Sequence, residues 1–352
     1  MKILSINKKH IPWVDYAKAI GIFAIVFGHA VQAGDANKYV YSFHLPLFLF
    51  LSGFVFSAGK DGFKRFASQR AFSFLVPYAI FSVISVSIFA VMGSFVQDSL
   101  ASNRVVGSIP QQIKNVILGI CDTNAPLWYL PCIFLLQLGA WRIDKWIKKS
   151  NVYIVRKNRA LLVLVLCALW LPVNKYLLHI KFIPYSMQSG IHLFAFFMLG
   201  YVFRLSGMER TILGLPTGTK LGYGGLFMLS GLVLSILNGK VGYTSNAYGH
   251  IELYFLAALC SVVGIVLVCM SIKSCTSLEF VGQNTLGIMV MHKFPVVFFQ
   301  TLCPVVKVYL KQNSVIVGIA VSVICIVMCV VAELVINRFC PILLGRKKRT
   351  LQ

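Results

Sequence analysis

Acidic residues are scarce: ten Asp and Glu in 352 residues, within a charged fraction of only 12%. Soluble domains carry about 25% charged residues, so a water-soluble enzyme of one or two domains is excluded. The ten cysteines include no CxxC pair, which argues against a redox or metal framework. Cys132, Cys167, Cys260, Cys269, Cys325 and Cys329 lie inside apolar runs, where cysteine behaves as a small hydrophobe. No polar stretch is long enough for a sizeable soluble domain, and no internal repeat or low-complexity tract is present. Disordered, collagenous and disulfide-framework classes are excluded with them. What is abundant is apolar surface: 58% of residues are hydrophobic and the mean hydropathy is +0.80. That is the composition of a membrane protein.

A membrane-spanning helix needs ~20 apolar residues. Ten runs qualify, at about 17–34, 40–58, 71–93, 126–142, 160–178, 188–204, 221–238, 251–272, 285–303 and 315–338. The expected fold is therefore an all-α integral membrane protein, a bundle of about ten transmembrane helices. One transmembrane domain would cover 12–340, with short basic tails at 1–11 and 341–352.

Lys and Arg number 33, giving a formal charge of +23, which in a soluble protein would suggest nucleic acid. Here the basic residues stand in short stretches between apolar runs, so they act as topology signals and nucleic acid is not an expected partner. With the N-terminus in the cytoplasm, 23 of the 33 fall inside and eight outside, with Lys18 and Lys293 within or beside spans. Both termini are then cytoplasmic. Val31-Gln32-Ala33 would suit a signal peptidase, but cleavage would leave nine spans and put a basic stretch on the wrong side. The first run is expected to stay. The longest outer connection, about 94–125, holds Gly107, Pro110, Asp122 and Asn124 and is a candidate for substrate contacts.

Ionisable side chains are costly in a bilayer and are functional candidates by default. Three acids qualify by position, Asp15, Glu252 and Glu333, and four histidines lie in or beside spans: His29, His44, His192 and His292. Lys18 and His29 are eleven steps apart, ~1100° of helix, which returns to within about 20° of one face with an axial separation of ~16 Å. Asp15 can pair with Lys18 three residues on. It lies ~21 Å from His29 along the axis, so Glu252 is the better candidate to orient that imidazole. By spacing alone, a snorkelling lysine and a packing histidine explain the first helix as well as a site does. In the second helix, Phe43-His44-Leu45-Pro46-Leu47-Phe48 runs on to Leu51-Ser52-Gly53-Phe54. The hairpin can bring His44 beside His29, and Ser52-Gly53 permits close helix approach.

Val14-Asp15-Tyr16-Ala17-Lys18-Ala19-Ile20-Gly21-Ile22, running on to Phe27-Gly28-His29, resembles the opening of the membrane-bound acyltransferase 3 family. So do the two second-helix phrases, Lys64-Arg65 and Arg70 before Pro77-Tyr78, and Leu127-Trp128-Tyr129-Leu130-Pro131. Phe196–Tyr201 and the stretch from Leu278 through Asn284 to His292 follow in the same order. Together these phrases are most similar to the fucose 4-O-acetylase-like branch, which modifies sugars. The family's hallmark is a basic residue, ten others, then histidine. It usually opens with arginine, whereas this chain has Lys18, a point charge without arginine's bidentate fork. The fused hydrolase-like outer domain of some members is absent.

The resemblance implies an O-acetyltransferase of the bacterial inner membrane, with acetyl-CoA as co-substrate, no tightly bound cofactor, and a cell-surface or lipid-linked glycan as acceptor. His29 would be the general base and His44 would orient the acceptor or help stabilise the oxyanion. Asp15, Lys18, Arg65 and Arg70 would serve coenzyme A. Trp128, Glu252, Asn284 and His292 would serve the acceptor. Simpler readings stand beside these. Arg65 and Arg70 fit positive-inside topology, Trp128 an interfacial anchor, and His292 a packing residue. A transporter or flippase for a lipid-linked or small anionic molecule is the alternative from another class, though the repeats common in transporters are missing.

Overall fold

The computed structural model describes residues 10–100, 107–149, 176, 179, 180 and 182–347. These residues are helical, with no named strand and one isolated bridge, Gly242 to Ala247. The first half contains α1 (Pro12–Ala30), α2 (Gly34–Val55), α3 (Phe63–Leu100), α4 (Ile109–Ile117) and α5 (Tyr129–Lys149). Next come α6 (Met187–Ser206), α7 (Met208–Leu213), α8 (Thr217–Asn238) and α9 (Ile251–Cys269). The chain closes with α10 (Thr276–Gln283), α11 (Thr285–Met291), α12 (Lys293–Leu302), α13 (Pro304–Lys311) and α14 (Val315–Phe339). A 3-10 segment, Asp122–Trp128, leads into α5.

Six stretches among the described residues are long and apolar enough to cross a membrane. They are Phe63–Met92, Ile109–Ile147, Pro184–Ser206, Thr217–Asn238, Ile251–Cys269 and Val315–Phe339. The expected run 285–303 is not one helix: it breaks into α11 and α12 with a 40° bend, and counting that pair gives seven. Helices α1 and α2 overlap the expected runs, beginning five and six residues earlier, but are not among the six. Asp15, Lys18 and His29 dilute the apolarity of one; Asp35, Lys38 and His44 dilute that of the other. The expected span at 160–178 lies outside the described residues. The multi-pass helical class is thus visible, with six or seven apolar crossings among the described residues.

Helix α1 runs through the middle of the bundle. It opens on Pro12, whose missing N–H costs nothing in a first turn. Its sides pack on α2, α9, α10, α11, α12 and α14. Trp13, Tyr16, Ala17, Ile22, Val26 and Phe27 are therefore all buried although they point in different directions around the axis. A helix buried all round has no single apolar stripe. Two tyings fix its opening turns: Trp13 Nε1 donates to Glu209 at 2.9 Å, and Tyr16 hydroxyl donates to Glu279 at 3.1 Å.

Helices α2 and α6 meet backbone to backbone. A Cβ at Gly53 would collide with the Phe197 carbonyl, and one at Gly200 with the Phe50 carbonyl. With little hydrophobic drive between helices in lipid, such small-residue crossings supply van der Waals contact instead. At the end of α2 that follows Gly53, Asp144 accepts from Tyr201 hydroxyl at 2.7 Å and from the Ala58 amide at 3.2 Å. Arg204 donates to the Phe54 and Phe56 carbonyls. The buried carboxylate of Asp144 joins α5 to α6 and to the α2–α3 turn.

Candidate active site

A helix ends with its last carbonyls unpaired, and a buried end needs donors. At the end of α1, Asn37 Nδ2 donates to the Gly28 carbonyl at 3.1 Å and to that of Val31 at 2.6 Å. Gln300 Nε2 donates to the carbonyls of His29 at 2.9 Å and Ala30 at 3.1 Å. Four consecutive carbonyls are thereby satisfied by two side chains, one from α2 and one from α12. His29 sits in this braced turn.

His29 opens onto a cavity of about 930 Å³. Its walls come from α1, α2, the 3-10 segment, the start of α6, the 240–247 turn and the broken helix α11–α12. The ring of His29 has no hydrogen-bond partner among the described residues; its neighbours are rings, His292 at 5.3 Å and Tyr41 at 6.3 Å between centroids. His44 lines the same cavity, with the Tyr41 ring 5.0 Å away and that of Tyr243 at 5.5 Å. A carbonyl can only accept, so the 2.6 Å contact from His44 Nδ1 to the Val40 carbonyl places a proton on Nδ1. The neutral ring then has its lone pair on Nε2. His292 is fixed in the same way by the Ile288 and Met289 carbonyls.

The 3-10 segment is held by Asn124, which is fully buried with φ −141° and ψ 72°. Its Nδ2 donates to Ser85 Oγ at 3.2 Å and to the Val290 carbonyl at 3.0 Å. This lays Cys121, Asp122, Pro126 and Trp128 along one wall. Trp128 is buried rather than standing at a surface as an anchor.

A second cavity of about 170 Å³ contains Lys18, with Leu51, Ser52, Phe74 and Thr285 among its walls. Phe48, Tyr129 and Met289 line both cavities. The two ends of α1 therefore face two cavities separated by a wall of three shared side chains. Lys18 donates to Asp15 at 3.0 Å, and Asp15 also meets His10 at 2.7 Å.

The expected residues divide accordingly. His29, His44 and Trp128 share the large cavity, His292 abuts it behind His29, and Lys18 with Asp15 marks the small one. Arg65 is exposed and 3.4 Å from Asp61; Arg70 is half-buried over the Phe66 ring at 5.2 Å; neither lines either of these two cavities. Glu252 is exposed on the first turn of α9 and lines neither cavity, so the structure does not bring it to His29. Asn284 donates to the Phe280 carbonyl at 2.7 Å, caps the junction of α10 and α11, and stands at the opposite end of α11 from His292.

Glu333 is buried and paired with Arg346 at 2.6 Å, against Gly287, which makes it an anchor for the segment after α14. Several lining residues were not singled out by sequence: Asn37, Tyr41, Gln188, Lys240, Tyr243 and Lys293. Of these Lys293 carried a signal, an ionisable group inside an apolar run.

No curated protein and no solved structure matches the chain. The model of the acyltransferase 3 family, described as an acyltransferase domain, matches residues 11–334. That match takes in every wall residue of both cavities and covers far more than half the sequence. With that match and its apolar helices, the chain belongs to this family of membrane acyltransferases.

Proposed function

We propose that the protein moves an acetyl group from acetyl-CoA to a hydroxyl of a cell-surface or lipid-linked glycan. The sequence phrases shared with the fucose 4-O-acetylase-like branch support the sugar acceptor. The observation that carries the reading is the pair of cavities along α1, one at Lys18 and one at His29, parted by Phe48, Tyr129 and Met289. A donor with a charged head and a long thin arm fits that layout: head at the Lys18 end, thioester at the His29 end.

In this reading Lys18, held by Asp15, meets the coenzyme phosphates, with Arg65 and Arg70 on the approach at the start of α3. His29 takes the proton of the acceptor hydroxyl as its oxygen attacks the thioester carbon. Collapse of the tetrahedral intermediate re-forms the carbonyl, breaks the C–S bond, and returns the proton to the leaving thiolate. A neutral imidazole can take that proton and return it within one turnover. His44, with its lone pair on Nε2, accepts a hydrogen bond from the acceptor and orients it. Trp128 forms an apolar wall of the acceptor space, and His292 backs His29. Asn284 shapes the α10–α11 junction.

The Lys18 end is cytoplasmic, as are both termini of a ten-span chain in a bacterial inner membrane. The 23-to-eight division of basic residues supports that orientation. A reporter fused at the C-terminus should behave as cytoplasmic; an external signal overturns the orientation. The activity is tested by acceptor-dependent release of free CoA from acetyl-CoA, using purified protein and lipid-linked glycan extracted from the host membrane. Release by wild type and its loss in His29→Gln supports the reading; no release with any glycan fraction defeats it.

A further inference from the structure

Lys293 is the one charged side chain of the large cavity that the foregoing leaves without a task. It follows His292 at the break between α11 and α12, is 3% exposed, and lines the cavity with His29 and His44. The other two charged lining residues have partners: Asp122 accepts from Asn115 at 2.7 Å, and Lys240 donates to the Gln32 carbonyl at 3.5 Å. Lys293 has no hydrogen bond or ion pair among the described residues. A buried ammonium without a counter-charge is among the costliest groups a membrane protein can hold. Removing it would relieve that cost, so packing gives no reason for a lysine here. Its place at a helix break is also informative, since broken helices at mid-bundle are where membrane proteins present polar groups to a ligand.

The ligand must bring negative charge to a point beside His29. Neither a neutral sugar hydroxyl nor a resting thioester carries any. The acyl oxygen does, but only while the carbon is tetrahedral. We propose that Lys293 is the oxyanion-stabilising residue of the acyl transfer, donating to the former carbonyl oxygen of the thioester. The inference rests on the acyl-CoA reading above. When the acceptor oxygen bonds to the thioester carbon, the C=O pair moves onto oxygen and meets the ammonium. When the C–S bond breaks, the pair returns and the charge leaves with the thiolate. The group is thus matched to the transition state rather than to either ground state, which is the arrangement that lowers a barrier.

The test needs no acceptor. Full-length protein in detergent is titrated calorimetrically with two thioether analogues, S-carboxymethyl-CoA and acetonyl-CoA. They differ in carrying a carboxylate or a neutral ketone near the position of the acyl group. Wild type should bind the carboxylate at least about tenfold more tightly, the worth of one charge-assisted hydrogen bond. Lys293→Met should bring the two within about twofold while unfolding at the same temperature as wild type or higher, because a buried charge has gone. Lys293→Arg should keep part of the preference. In the transfer assay Lys293→Met should lower kcat about 10²–10³-fold, the usual loss for one oxyanion donor, with KM for acetyl-CoA little changed.

A carboxylate preference undiminished in Lys293→Met overturns the assignment, as does its absence in wild type. If the preference stays and only acceptors bearing a carboxylate or phosphate bind worse, Lys293 belongs to the acceptor instead. If neither analogue binds wild type, the acyl-CoA reading itself falls, and this inference with it.

Discussion

The two ends of α1 are built to opposite standards. At the His29 end four successive carbonyls are capped by Asn37 and Gln300, and the ring faces a large cavity. At the other end Lys18 keeps 29% of its side chain exposed, shares Asp15 with His10, and faces a cavity less than a fifth as large. A group on a braced turn can act on a bond because its position is fixed before the substrate arrives. A partly exposed cation paired with a carboxylate contributes attraction rather than geometry. On the proposed function, one helix therefore separates holding a charged donor from reacting with it.

The sharpest test of that contrast is His29→Gln. Glutamine keeps polarity but cannot take a proton, so kcat should fall about 10²–10⁴-fold with KM for acetyl-CoA nearly unchanged. Only the neutral ring is a base, so any rise of the wild-type rate with pH that comes from His29 should vanish from the variant's residual rate. A residual rate above about a tenth of wild type would hand the base role to His44. At the other end, Lys18→Ala should raise KM for acetyl-CoA about tenfold, or ~1.4 kcal/mol of binding, and leave kcat largely intact. Lys18→Arg should match or exceed wild type, because a guanidinium fork suits phosphate. If Lys18→Ala instead cuts kcat as deeply as His29→Gln, the division of labour between the ends is wrong.

Smaller effects sharpen the comparison. Gln300→Leu strips two carbonyls of their donor and should cost about 1–3 kcal/mol of stability, read as a lower unfolding temperature, with a modest loss of kcat. Glu252→Gln, at an exposed site away from both cavities, should leave the CoA-release rate within about twofold of wild type and change stability by no more than about 0.5 kcal/mol.

How much of this was legible in the residues varies with what each element touches. The last helix, Val315–Phe339, was read almost to its ends because much of its surface is apolar and outward, so composition alone defines it. Helix α1 was read through Lys18 and His29, whose spacing survives burial on every side. The break at His292 was hidden, since 285–303 is predominantly apolar and a bend leaves no mark on hydropathy. Lys293 was visible as an ionisable group in that run, but its lack of a partner is a tertiary fact. Asn37 and Gln300 were beyond reach: they act on backbone up to 271 positions away, and no pattern of residue types announces a side chain aimed at a distant carbonyl. The expected pairing of Glu252 with His29 is not seen, since Glu252 is exposed on the first turn of α9 and lines neither cavity; nearby backbone carbonyls fix the tautomers of His44 and His292 instead.

The double cap on α1 also has a consequence in time. Helix ends ordinarily fray, opening and closing far faster than the body of the helix, and their amides exchange with solvent early. With its last carbonyls clasped by two neighbouring helices, the turn bearing His29 can open only when α2 or α12 lets go. Its amide hydrogens should exchange as slowly as those around Ile22 at the helix centre, and Gln300→Leu should release them first.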